Sequence, residues 1–363
     1  MKKIKLLVLA AVAMLGLAAC SDDDNDAKQN VISEYTHNDE LVIKQKNSSK
    51  KDKAILLVAF GSTWSNAFKA FDSTKAAYEA AFPDADVYVS FSSDICINRA
   101  EAGENGESRD YYEPRYLLHA IGAAKYSKVY VQSLQVIPGE EFANVVACVK
   151  KFANNGYIKD AHLDDKYLSE VEIYLGMPLL NDPEEGGDVA EVAKQLNALY
   201  KDEAAKGAVA FMGHGNPDSY DTFKANVRYQ QLEEALQAYS KNYYVGTVDM
   251  PDNYKQDVLA RMNANGITSG QISLHALMSI AGDHAHNDMA GEGEEYWDAS
   301  EAESEDNSWF EFFNHNGFKA VVPAVNGDPL GLLELNGVRQ VWINHTKNAE
   351  LLEDAYHSMY PEE

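Results

Sequence analysis

The stretch Leu274-His275-Ala276-Leu277-Met278-Ser279-Ile280-Ala281-Gly282-Asp283-His284-Ala285-His286-Asn287-Asp288-Met289 decides how the chain is to be read. Residues 274–280 form a largely apolar run that reads as a buried strand, and Gly282 offers backbone freedom for a sharp exit. Asp283, His284 and His286 then stand at the carboxyl end of that strand, which is where open α/β sheets bind ligands. A second run, Ala208-Val209-Ala210-Phe211-Met212, closes on Gly213-His214-Gly215 in the same way. Two strand ends carrying histidines predict one cleft that handles a metal ion.

Working outward, strands alternate with amphipathic segments. Residues 54–60, 87–91, 129–134 and 171–175 read as strands, and 66–81, 112–126, 142–152 and 189–206 as helices. That alternation predicts parallel sheets covered on both faces. The second half repeats the first. Residues 208–212 with Gly213-His214-Gly215 answer 55–60 with Gly61-Ser62, and Ile280-Ala281-Gly282-Asp283-His284 answers Ile137-Pro138-Gly139-Glu140-Glu141. Two similar α/β lobes with a cleft between them follow, divided at 54–206 and 207–363. The remaining elements are helices near 221–239, 253–263 and 310–315, strands at 243–248 and 320–325, and a closing amphipathic helix at 338–356. Residues 291–306 carry eight carboxylates and read as a solvated loop.

The amino terminus has a different composition. Lys2, Lys3 and Lys5 precede an apolar core, and Leu17-Ala18-Ala19-Cys20 resembles a lipoprotein cleavage site, so residues 1–20 are expected to be removed and Cys20 acylated. Residues 21–53 read as a polar, acidic tether without a fold. The expected location is therefore an exported, membrane-anchored lipoprotein on the periplasmic or cell-surface side. A net charge of −26 excludes nucleic acid as a partner, since that needs a basic face. Cys96 and Cys148 alone make no metal motif.

Two neutral imidazoles with a carboxylate make a three-point site with positions left open for a substrate donor, suited to Co²⁺, Fe²⁺, Ni²⁺ or Zn²⁺. His214, His284 and Asp249, the last at the end of the 243–248 strand, are the candidates. Asp283, Asp288 or Glu141 would orient the rings by accepting their second N–H. His286 is expected to play an outer role, and His275 to be a hydrogen-bonded core residue. Tyr220, Tyr229, Tyr243 and Tyr244 either line a flat ligand or simply pack.

From residue 54 to 345 these motifs resemble the anaerobic cobalt chelatases that act on sirohydrochlorin. The resemblance rests on Leu56-Leu57-Val58-Ala59-Phe60-Gly61-Ser62, Val131-Gln132-Ser133-Leu134, Pro138-Gly139-Glu140-Glu141, Gly176-Met177-Pro178-Leu179-Leu180, Phe211-Met212-Gly213-His214-Gly215, Gly246-Thr247-Val248-Asp249 and Ala281-Gly282-Asp283-His284 with Asn287-Asp288-Met289. It implies the bilobal class II chelatase fold, metal ligands at His214, Asp249 and His284, catalysis by His214 and His284, and supporting or substrate-binding roles for Ser62, Glu141, Asp283 and Arg99. Aspartate at 249 replaces the family's usual glutamate. Gln135 stands where histidine is common, and Asn98-Arg99 replaces a more basic pair. The implied reaction inserts a divalent metal, cobalt first and iron next, into a tetrapyrrole, as in cobalamin biosynthesis. A polycarboxylate ring would then be met by Arg99, Arg115 or Arg228. The alternative is a non-catalytic lipoprotein that binds or takes up haem or another tetrapyrrole. A homo-oligomer is compatible with either.

Overall fold

Alternation along β1 (Lys53–Ala59) sets the layers: Ile55, Leu57 and Ala59 enter one core, while Ala54, Leu56 and Val58 enter another. A strand buried on both faces reads as a continuous apolar run, which is why it was legible. The computed structural model describes residues 25–104, 106–156, 161–221, 223–291 and 307–359, with side chains from 33 to 355. The leader, Cys20 and most of the acidic loop lie outside the described residues.

The first lobe contains α2 (Ser65–Ala81), β2 (Ala85–Phe91), α3 (Asp94–Ala102), α4 (Pro114–Ala123), β3 (Lys128–Ser133), α5 (Glu140–Ala153), α6 (Asp165–Glu170) and β4 (Glu172–Gly176). After α7 (Asp188–Ala204), the second contains β5 (Ala208–Gly213), α8 (Val227–Gln237), β6 (Tyr243–Thr247), α9 (Lys255–Ala264), β7 (Gly270–Ala276), a π-helical turn at His284–Met289, α10 (Trp309–His315) and β8 (Phe318–Val321). The sheets run β2-β1-β3-β4 and β6-β5-β7-β8, parallel throughout. The expected repeat is therefore a repeat of topology, strand for strand.

The lobes are not separable at residue 206. Helix α7 leaves β4 to pack on α8 and β5 of the second lobe. After β9 (Ala324–Val325) and β10 (Asp328–Pro329), α11 (Asn336–Lys347) returns to the first. There Trp342 Nε1 donates to the Gln135 carbonyl at 3.2 Å and Thr346 Oγ1 to Gln132 Oε1 at 2.7 Å. Strand β11 (Glu350–Leu351) then extends the first sheet, antiparallel on β4, before α12 (Leu352–Met359). The expected closing helix at 338–356 is thus broken by an edge strand. One apolar core runs between the two sheets through α2, α7, α8 and α11.

The tether expectation is corrected. Residues Asn25–Ser49 form a helix, α1, packed along α4. Tyr35 and Val42 are buried, and Tyr35 meets Tyr116 and His119 edge-on at 4.7 and 4.8 Å. Beyond them Gln45 Nε2 and Ser49 Oγ donate to buried Asp86, at 3.1 and 2.6 Å. Its described buried residues are few, Tyr35, Asn38 and Val42, which gives hydrophobic periodicity little to show. Among the described residues no helix is long and apolar enough to cross a membrane.

Candidate active site

In each sheet the order places a switch point between the first and third strands, where successive connections leave in opposite directions and open a crevice at the carboxyl ends. The turns after β1, β3, β5 and β7 meet there, two from each lobe. Ser279 Oγ donates to the Leu134 carbonyl. Gly139 lies so close to Asn216 that a Cβ on it would sit 2.5 Å from the Asn216 amide, and one on Gly282 would sit 3.5 Å from Ser62 Oγ.

Residues 277–280 are not strand, as the apolar run suggested, because β7 ends at Ala276. Their apolar character serves the lobe junction: Leu277 is fully buried, and the Met278 and Ser279 carbonyls accept from Leu332 and Leu333 at 2.9 Å each. Gly282 does not use positive φ either. A Cβ on it would meet the tip of Ile280 at 3.1 Å and Ser62 Oγ at ordinary contact distance. Gly215 does use it: φ is +80°, and a Cβ would come within 2.8 Å of the Met250 backbone nitrogen.

The turns bring His214 and His284 together, rings edge-to-face with centroids 4.8 Å apart. His214 Nδ1 lies 2.7 Å from the Gly215 carbonyl, which can only accept, so Nδ1 carries the hydrogen. Its Nε2 then faces Asp249 Oδ2 at 3.6 Å. A lone pair facing a carboxylate calls for a positive charge between or beside them, a proton or a metal ion. His284 Nδ1 is engaged by Asp288 Oδ2 at 2.5 Å, which leaves its Nε2 open. Burial lowers the His284 pKa, but the hydrogen bond and charge of Asp288, with Asp249 and Asp283 behind, outweigh this and raise it overall. Of the three carboxylates proposed to orient the rings, Asp288 is the one bonded to His284.

Glu141, in the first turn of α5, faces the pair from the first lobe. Burial raises its pKa, the neighbouring Glu140 adds to this, and both His214 and His284 offset it. Glu140 is raised likewise by burial, with His214 opposing. Among the described residues neither carboxylate is paired with a lysine or arginine, and the groups that offset their raised pKa are the site imidazoles. Among the described residues no three His, Cys, Asp or Glu side chains are close enough to enclose a metal ion without movement. The arrangement is a histidine pair with acidic neighbours, suited to passing a cation on.

Ser62 is buried behind the site, its Oγ accepting from the Trp64 backbone N–H at 3.2 Å. Arg99 lies 4.0 Å from Asp283 and 3.4 Å from Glu104. The other two arginines are placed elsewhere: Arg115 pairs with Glu113 at 2.6 Å over Tyr116, and Arg228 bonds Gln231 at 2.9 Å, with Asp182 and Asp188 nearby. Gln135 is buried, bonded to Ser133, and not at the histidines. Tyr229, Tyr243 and Tyr244 pack in the cores. His275, as expected, is a core residue bonded to Glu203 at 2.8 Å. Cys96 and Cys148 form no disulfide. The residue the sequence did not single out is Trp64, whose ring stacks on His286 and whose Nε1 donates to Asp283. A lone tryptophan after Gly-Ser-Thr carries no spacing signal.

Two concavities, of about 360 and 220 Å³, run along α1, away from these turns. Of the two histidines lining the larger, His119 is already held by Asp39 and the Ala161 carbonyl.

Comparison with known proteins bears on the same residues. The family model for cobalt chelatase (CbiK) matches residues 53–350. A sirohydrochlorin cobaltochelatase of Salmonella typhimurium is 28% identical over 249 residues, covering 68% of this chain and 83% of the relative. The sirohydrochlorin cobaltochelatase CbiKC of Nitratidesulfovibrio vulgaris is 27% identical over 297 residues, covering 81% and 89%. Among solved structures, SirB from Bacillus subtilis with Fe³⁺ superposes with a TM-score of 0.51 at 15% identity, over 85% of this chain and 97% of that one, a likeness of fold. With two matched lobes, a histidine pair at their junction and a family model spanning most of its length, the chain belongs to the cobalt chelatase (CbiK) family of metal chelatases.

Proposed function

We propose that this chelatase inserts Co²⁺, with Fe²⁺ as the next candidate, into sirohydrochlorin or a closely related ring. The observation that carries the reading is the His214–His284 pair at 4.8 Å with Asp249 beside it, at the junction of two switch points. The relatives named as sirohydrochlorin cobaltochelatases support the choice of ring and metal.

Insertion requires removal of two pyrrole N–H protons and transfer of the ion from weak protein ligands to ring nitrogens. Imidazole suits both tasks near neutral pH. With Nδ1 of each ring committed to Gly215 or Asp288, both Nε2 atoms are available. We assign His284 and Asp249 to presenting the ion and His214 to accepting a proton, with Glu141 as the next acceptor because its raised pKa favours the protonated form. A site that is not closed around the ion favours release to the ring. Three chain ligands at most leave coordination positions for an incoming pyrrole nitrogen.

The test is metallation of the free ring by the purified chain, followed by its absorption change with Co²⁺, Fe²⁺, Ni²⁺ and Zn²⁺ in turn. A first-order rise above the uncatalysed rate with Co²⁺ is expected, and equal rates with and without protein would overturn the reading.

A second reading has an observation of its own. Arg99 is the sole arginine of the three candidates found beside the site, and it already leans on Glu104 and Asp283, which is sparse provision for a polycarboxylate ring. A lipoprotein that binds haem or a related tetrapyrrole without metallating it would need no more. Tight spectral titration with haem and no insertion would select it. In either case we propose that Cys20 anchors the protein to a membrane after export. Labelling with a fatty-acid analogue, abolished by Cys20→Ser, tests that.

A further inference from the structure

We infer that Trp64 is a positioning residue for His284, acting through a clasp that joins the lobes beside the site. Trp64 precedes α2 in the first lobe, where its side chain borders the shared apolar core, and its ring also makes two contacts with the second lobe. Its indole stacks on the His286 imidazole with centroids 3.7 Å apart and planes 3° from parallel. Its Nε1–H donates to Asp283 Oδ1 at 2.6 Å, while Asp283 Oδ2 lies 4.0 Å from Arg99 of α3. His286 is tied in turn to its own loop, Nδ1 to the Gly282 carbonyl at 2.9 Å. The residues held, Asp283 and His286, flank His284 on the chain.

The geometry explains why such a clasp is needed. Residues 277–282 are neither helix nor strand, and after a single helical residue, Asp283, His284 opens a π-helical turn, a form rare in proteins. Asp288 fixes the rotation of the His284 ring but sits on the same turn, so it cannot set where that turn stands relative to His214. Trp64 ties the turn to the opposite lobe. Removing it should let His284 drift relative to His214 while both side chains remain intact, and displacement of about 1 Å at a reacting group can cost on the order of a hundredfold in rate.

This inference rests on the chelatase reading for its kinetic consequence but not for its structural one. The test therefore uses two readouts on the full chain, with Trp64→Ala removing both contacts and Trp64→Phe keeping a ring for the stack without the N–H. Amide hydrogen exchange should rise in residues 277–290 in Trp64→Ala, and less in Trp64→Phe, with strands β1 and β5 unchanged. Metal insertion should fall roughly tenfold in Trp64→Ala, with the loss in kcat at saturating metal and ring, and Trp64→Phe should fall between it and wild type. Exchange and kinetics at wild-type values in Trp64→Ala would overturn the clasp. So would exchange raised throughout the chain in both variants, which would make Trp64 a packing residue. If the wild type itself metallates no ring, the chelatase reading fails, and the exchange result still decides the clasp.

Discussion

The two lobes share one strand order and differ in what their turns carry. After β5 and β7 the second lobe presents His214 and His284, with Asp249 after β6. After β1 and β3 the first presents Ser62, Trp64 and Glu141. Strand order is kept by buried apolar alternation, which tolerates exchange of one aliphatic residue for another. Turn residues have no such duty and are free to diverge toward chemistry. One lobe therefore holds the imidazoles, and the other holds them in place and supplies a carboxylate.

The largest effect should come from emptying the second lobe's turns. His214→Ala and His284→Ala should each lower metal insertion by about a hundredfold, within the range for losing a positioned acid–base group, while urea unfolding stays near wild type. A rate equal to wild type for either variant would remove the asymmetry between the lobes.

The glycines after β1 and β5 come next, since both lobes depend on them. Gly61 (φ +119°) and Gly215 (φ +80°) each lack room for a Cβ, which would meet Cys96 Cβ at 2.8 Å or Met250 Cβ at 2.7 Å. Alanine at either should cost about 1–3 kcal/mol in urea unfolding. Only Gly215→Ala should also disturb metal binding, because Gly215 O holds His214 Nδ1.

Asp288→Asn should reduce insertion by roughly tenfold, as is usual when the group orienting a metal-binding histidine is lost. Steady-state rates at saturating ring check it. The same variant sharpens the smallest prediction, on pH. The His284 pKa is raised in the fold, so its contribution to stability is fully present below the unfolded value and is lost as pH rises through the folded one. Metal-free protein should lose some resistance to urea as pH rises across that window, and Asp288→Asn should flatten the dependence. A proton held longer on His284 also competes longer with the ion, so Co²⁺ affinity in the wild type should begin to fall at a higher pH on acidification than in Asp288→Asn.

Legibility followed the kind of force at work. The double-sided strands were plain, as were glycine-flanked histidines at their ends. Helix α3 was passed over because Asp94–Ala102 is short and offers just one buried residue, Ala100. The apolar run at 274–280 extends about four residues beyond β7 (Gly270–Ala276), since apolar residues packed at a lobe junction look the same in sequence as apolar residues in a sheet. Helix α1 offers little periodic signal because its described buried residues are Tyr35, Asn38 and Val42, with Gln45 and Ser49 adding hydrogen bonds to Asp86 from its less buried side.

By itself the sequence determined the α/β class and the paired lobes and offered His214, Asp249 and His284 as candidates, because burial pattern and turn chemistry are local in the chain. Only the tertiary structure decided which lobe α7 and α11 complete, which carboxylate holds His284, and that Trp64 reaches across to His286 and Asp283. The α11 and Trp64 pairings join residues far apart in the chain, Trp342 with Gln135 at a sequence separation of 207 and the Trp64 indole with Asp283 at 219. No local pattern encodes such pairings, because their energy arises only once the two sheets have closed on their shared core.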